Sequence, residues 1–143
     1  MELVDIEPAV LPLACDDILG PSEAEWEYAC RCGTTNVFCF GEDERRLGEY
    51  AWYQDNAGGT THPVDRKRPN LWGLYDMHGN TWEWCHDWFA PFPRPTLAST
   101  DPQGPVTASV RNHRGIRGGS WNFSAADGRA AYRGHGAATN QSK

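Results

Sequence analysis

The chain has 143 residues, 39% of them hydrophobic and 22% charged, a length and balance that suit one globular domain with one core. With 13 basic against 19 acidic residues the net charge is −6, which gives no general attraction for a phosphate backbone or an anionic lipid surface and argues against nucleic acid as a partner. There is no run of about 18 apolar residues, so no membrane-spanning helix is expected.

Met1-Glu2-Leu3-Val4-Asp5 lacks the basic start and apolar stretch of a signal peptide, which predicts a cytoplasmic chain. The 15 Gly and 10 Pro follow no period and predict many turns and little long regular structure. Cys15, Cys30, Cys32, Cys39 and Cys85 are odd in number, so free thiols are expected rather than a complete disulfide framework. Cys30-Arg31-Cys32 with Cys39 falls short of a zinc site, because Cys-x-Cys is too tight and no second Cys/His pair follows.

Residues 1–19 keep neither a helical nor an alternating period and stay unassigned. Pro21 then precedes Ser22, with Glu25 three residues on, the spacing of a capping box; a helix is predicted over 22–31. Trp26, Ala29 and Cys30 share one of its faces, and Gly33 stands where a glycine would stop it. Val37-Phe38-Cys39-Phe40 and Tyr50-Ala51-Trp52-Tyr53 read as short strands or extended segments in a meander of loops. Glu42-Asp43-Glu44 and Asp55-Asn56 read as turns.

The stretch Pro69-Asn70-Leu71-Trp72-Gly73-Leu74-Tyr75-Asp76-Met77-His78-Gly79-Asn80-Thr81-Trp82-Glu83-Trp84-Cys85-His86-Asp87-Trp88 holds four of the seven tryptophans and is expected to be core, with Trp72, Trp82, Trp84 and Trp88 mostly buried. It also carries Asp76, Asn80, Glu83 and Asp87. Buried carboxylates are costly unless paired, hydrogen-bonded or bound to a cation, and a hard metal ion would remove that cost. Residues 90–112 form a long connection with five prolines and no chemistry of its own. Arg114-Gly115-Ile116-Arg117-Gly118-Gly119-Ser120-Trp121 reads as a strand whose glycines admit another backbone. Residues 124–143 carry Arg129, Tyr132, Arg133, His135, Asn140 and Gln141 among small residues, a composition that favours a contact surface, with no closing apolar strand.

Ser22-Glu23-Ala24-Glu25-Trp26-Glu27-Tyr28-Ala29, the segment from Asn70 to Trp84, and Arg117-Gly118-Gly119-Ser120-Trp121 together resemble the formylglycine-generating enzyme family, also called sulfatase-modifying factors, in order and interval over about residues 20–134. The resemblance implies an α+β, loop-rich, C-type-lectin-like fold with little regular secondary structure. Family domains carry a further N-terminal part and a closing Gly-Phe-Arg strand. Neither is recognisable, so 20–143 is expected to be a partial domain truncated at both ends.

The family's enzymes oxidise a sulfatase cysteine to formylglycine with oxygen and a copper ion held by two cysteines after Gly-Gly-Ser, soft thiolates being what copper(I) requires. Counting from Gly118-Gly119-Ser120 puts Phe123 and Gly128 at those positions, and no cysteine follows Cys85. Copper is therefore not expected. Relatives that use non-haem iron take their histidines from a further domain, and His62, His78, His86, His113 and His135 show no ligand-type spacing. For structural calcium, the resemblance assigns the carboxylates of Asp76 and Glu83 and the backbone carbonyls of Gly79 and Thr81, a mixed oxygen set that suits a hard cation. The family's other calcium site is not recognisable around 52–56.

The function expected is a non-catalytic, calcium-stabilised, lectin-like binding scaffold. Its surface would be Ser120, Trp121, Asn122, Arg129, Tyr132 and Arg133, offered to a protein or small ligand as in related variable proteins that diversify this region. The alternatives are a copper-dependent formylglycine-generating oxidase and an inactive fragment.

Overall fold

The computed structural model describes residues 20–90, 102, 104, 105 and 112–137. Helix α1, Glu23–Arg31, starts as its sequence dictates. Ser22 Oγ accepts from the Glu25 N–H at 3.1 Å and the Glu25 carboxylate accepts from the Ser22 N–H at 2.8 Å, so two orphan donors of the first turn satisfy each other's side chains. The helix stops where Cys32 enters the left-handed region at φ 43°, one residue ahead of Gly33 at φ 88°. Glu23, Trp26 and Cys30 form its buried face.

Three short strands make one antiparallel sheet in the order β1-β2-β3: β1 Glu83–Trp88, β2 His113–Arg117 and β3 Gly134–Ala137. Glu83 pairs with Arg117 and Trp84 with Ile116, and an irregularity follows before Trp88 meets Arg114. Alternation buries Cys85 and Asp87 on the side facing α1, while Trp84 and Trp88 stay half-buried. The Arg114 guanidinium lies 3.8 Å over the Trp88 ring, a cation–π contact that covers apolar surface at the outer face.

An ionic lock joins α1 to the sheet. Arg117, 1% exposed, donates to Glu23 at 3.2 Å, to Glu27 at 2.7 Å and to the Ala130 carbonyl at 2.6 Å. Arg133 donates to both Glu23 oxygens at 2.6 Å, and Asp87 accepts from the Glu23 N–H at 2.8 Å. A guanidinium this deeply buried is tolerable only with such partners, and removing one of them would leave an uncompensated charge. Beside it lie two apolar clusters. One is Trp26, Cys30, Met77, Cys85 and Ala130; the other is Phe38, Leu47 and Ala51, flanked by Phe40, Tyr53 and Ala125.

Several sequence expectations change. Trp72 is 47% exposed and Leu71 81%, so the first part of the central stretch is surface. Asn70 explains why: its side-chain oxygen accepts from the Trp72 and Leu74 N–H groups, at 3.0 Å each, and its amide donates to the Ala29 carbonyl at 2.8 Å, which turns 71–75 outward. Trp82, Trp84 and Trp88 are half-buried, and the deeply buried tryptophan is Trp26. Val37–Phe40 contributes one isolated bridge, Phe38 to Gly41, rather than a strand. Tyr50 ends a one-turn helix, α2, Leu47–Tyr50. A C-terminal strand does form, though it is built of glycine, histidine and alanine rather than apolar residues. Residues 1–19, most of 90–112 and 138–143 lie outside the described residues.

Candidate functional site

The turn between residues 76 and 83 is held in an unusual backbone shape. Asp76 at φ 56° and Asn80 at φ 69° both take left-handed conformations, which Asp and Asn tolerate better than other side chains. Asn80 fixes the turn: its N–H donates to the Trp52 carbonyl at 2.7 Å, and its side chain accepts from and donates to the His62 backbone, both at 2.9 Å. Gly79 packs so closely that a Cβ there would stand 2.3 Å from the Trp52 carbonyl oxygen, a position only glycine can occupy.

Within this turn Asp76 is buried, and its Oδ1 has no hydrogen-bond partner, while Oδ2 accepts from the Asn80 amide at 3.3 Å. Burial raises its pKa, against the Asn80 bond and the Lys67 charge. Glu83 is half-buried as a residue, but its carboxyl group is enclosed and accepts from the Trp26 indole N–H at 3.0 Å. Burial pushes it up to about 7, and the Asp76 charge adds to the rise. The two carboxylates assigned from sequence are thus brought within electrostatic reach of each other, one with an unpartnered oxygen. Such a pair is stabilised by a proton or a cation. The Gly79 carbonyl accepts from the Thr81 N–H at 3.0 Å, and Thr81 is exposed. Among the described residues no cluster of three or more His, Cys, Asp or Glu side chains is placed to hold an ion.

The loop after β2 lies against this turn. The Trp121 N–H donates to the Asn80 carbonyl at 3.0 Å, and Ser120 Oγ, buried, donates to the exposed Asn122 at 2.6 Å. Phe123 sets its ring edge-on to Trp82 at 5.0 Å, and Tyr132 stands 6.0 Å from the same indole. Ser124 and Asp127 cap the short 3-10 turn Ala125–Gly128 reciprocally. A Cβ on Gly128 would lie 2.5 Å from the His78 carbonyl oxygen. Arg129 is exposed, whereas Arg133 turns inward to Glu23. A half-open groove of about 250 Å³ lies beside this loop, lined by residues that include Arg31, Asn36, Val37, Arg129 and Tyr132.

His78 is the residue whose importance the sequence did not reveal. Its Nε2 accepts from the Cys39 N–H at 3.0 Å and its Nδ1 lies 2.7 Å from the Gly128 carbonyl, so the ring carries its proton on Nδ1. Burial lowers its pKa to about 4, and the ring is neutral at physiological pH. It pins two loops that no regular element connects. The thiols of Cys30, Cys39 and Cys85 are buried; burial pushes Cys39 up to about 12 and the other two higher still. Thiols in such surroundings are poor ligands and nucleophiles.

Among the described residues, helix α1 packs against a three-stranded antiparallel sheet and most of the rest is loop, a loop-rich α+β arrangement. The comparisons place it further. The profile described as "Sulfatase-modifying factor enzyme 1-like domain" matches residues 20–143, and the chain belongs to that family. It is 36% identical over 113 residues to the formylglycine-generating enzyme of Streptomyces coelicolor, a match covering 71% of this chain and 35% of the relative. Among solved structures, Treponema denticola variable protein 1 superposes with a TM-score of 0.75 at 40% identity, over 82% of this chain and 41% of that one. PvdO from Pseudomonas aeruginosa gives 0.69 at 29%, over 83% and 46%. The chain therefore spans about a third of the curated relative and under half of each solved one.

Proposed function

We propose that this domain is a non-catalytic member of its family, a calcium-stabilised, lectin-like scaffold that presents the loop after β2 as a binding surface. The observation that carries the reading is the packing at Phe123 and Gly128. Phe123 supplies a ring against Trp82 where copper chemistry needs a thiolate, and the backbone at Gly128 is pressed so close to the His78 carbonyl that it leaves no space for any Cβ. The donor set does not fit copper(I). The described cysteines are buried free thiols, and none lies in the segment after β2.

Calcium fits the donors better. The unpartnered Asp76 oxygen and the enclosed Glu83 carboxyl offer two hard ligands, with the carbonyls of Gly79 and Thr81 the backbone donors assigned beside them. The ion would neutralise the two carboxylates and hold the turn on which Trp121 hangs. The binding surface is Trp121, Asn122, Arg129 and Tyr132, with buried Ser120 holding Asn122 and Arg133 bracing the loop from behind through Glu23. Likeness at 40% identity to a protein named as variable supports a loop whose role is recognition. The test is incubation of a cysteine peptide of the sulfatase type with protein, copper and oxygen, read by mass spectrometry, together with thermal melts in calcium and in chelator. No peptide conversion and a calcium-dependent rise in melting temperature are expected.

A further inference from the structure

Strand β3 is Gly134-His135-Gly136-Ala137, and one of its faces is forced to be bare. A Cβ on Gly134 would lie 2.8 Å from the Ile116 side chain, and one on Gly136 2.6 Å from the Trp84 ring, so only glycine lets the strand close on β2 there. His135 points to the opposite face by the alternation of a strand. It pairs across to Gly115, which has no side chain, so the nearest same-face side chain beyond it on β2 is His113. The two imidazoles lie 17° from parallel with centroids 4.8 Å apart, and their Nδ1 atoms are 2.8 Å apart. His135 is exposed and His113 half-buried, so the pair is open to solvent, with the Phe89 ring 4.6 Å from His135 as an apolar wall.

From this geometry we propose that His113 and His135 form an exchangeable site for a late first-row divalent transition metal ion, Cu²⁺, Ni²⁺ or Zn²⁺, that clips β3 to β2. Two imidazole nitrogens bound to one such ion at about 2.0–2.1 Å in neighbouring positions stand roughly 3 Å apart, close to the separation already present. Imidazole is a donor these ions favour and Ca²⁺ or Mg²⁺ do not. Without the ion, nitrogens this close require one ring to donate its N–H to the other. Binding moves that proton from Nδ1 to Nε2 of the same ring, so two neutral imidazoles take up the ion with no net proton release. With no third His, Cys, Asp or Glu ligand among the described residues, water fills the remaining positions, which makes the site exchangeable rather than structural. The 21 residues between the two histidines in sequence hide the pair; only the β2–β3 register brings them together.

The experiment is calorimetric titration of the full chain with Cu²⁺, Ni²⁺ and Zn²⁺ at about pH 8, where ordinary imidazole is neutral, with and without calcium present. One ion per chain is expected, with Cu²⁺ tighter than Ni²⁺ or Zn²⁺, and two imidazole nitrogens in the electron paramagnetic resonance spectrum of the Cu²⁺ complex. His135→Asn should weaken binding by at least about tenfold and leave any calcium response unchanged, while His62→Asn leaves the transition-metal titration unchanged. If His135→Asn does not fold, the ring nitrogen signals of the unsubstituted protein decide, because His113 and His135 alone should shift on adding Zn²⁺. Absence of binding, undiminished binding by folded His135→Asn, or shifts confined to other histidines would overturn the proposal. None of these results bears on the calcium reading, whose donors are oxygens.

Discussion

Replacing Glu83 with glutamine separates what the turn needs for folding from what it needs for an ion. The Glu83 carboxyl is pushed from its ordinary 4.5 up to about 7 by burial, with Asp76 adding to the effect. Because the folded pKa lies above the unfolded one, the proton on Glu83 favours the fold; that contribution is complete below about pH 4.5 and is lost as pH rises through about 7. At roughly 1.4 kcal/mol per pH unit, an ionised Glu83 costs the ion-free domain at most about 3.5 kcal/mol above pH 7. Glutamine keeps an oxygen to accept from Trp26 and carries no charge beside Asp76. Ion-free Glu83→Gln should therefore be about 1–3 kcal/mol more stable than the parent at pH 8 and nearly equal to it at pH 4. Calcium should close or reverse that gap at pH 8, because an ion present at about 100 times its dissociation constant adds about 2.7 kcal/mol to the parent and little to the variant. Urea unfolding at both pH values, in chelator and in calcium, gives all the numbers. An ion-free variant less stable than the parent at pH 8, or equal calcium gains for both proteins, would refute the reasoning.

Other consequences follow from the same contacts. His78→Ala leaves the Cys39 N–H and the Gly128 carbonyl buried without their partner, and a loss of roughly 2–5 kcal/mol is expected in denaturant unfolding. Since burial lowers the His78 pKa to about 4, its contribution is present above about pH 6.5 and is lost as pH falls toward 4; the parent's pH profile should show that loss and the alanine variant's should not. Gly128→Ala forces a methyl to within 2.5 Å of the His78 carbonyl and should cost about 1–3 kcal/mol by overpacking, measured the same way.

Local chemistry was legible in the sequence and long-range pairing was not. The capping box at Ser22 and Glu25 forms as read, because it depends only on residues three apart. Asp76 and Glu83 are assigned by the family resemblance, and the structure adds that both carboxyl groups are buried and that the Asp76 charge is felt at Glu83. Trp72 was misplaced because aromatic content alone says nothing about direction, and the Asn70 side chain decides it by turning 71–75 outward. Glu23, in the first turn of α1, is the shared partner of Arg117 and Arg133, which lie 94 and 110 residues away. The pinning role of His78 and the His113–His135 pair likewise depend on contacts 22 to 50 residues apart, which no local pattern encodes.

The loop after β2 is proposed to recognise a partner and to carry out no oxidation. Phe123 and Gly128 offer no soft donor, and Cys39 is buried with its thiol held protonated to about pH 12. The direct measurement is mass spectrometry of a sulfatase-type cysteine peptide incubated with the full chain, copper and oxygen. The peptide is predicted to keep its mass relative to a no-protein control, and a protein-dependent loss of about 18 Da, thiol to aldehyde, would contradict the account.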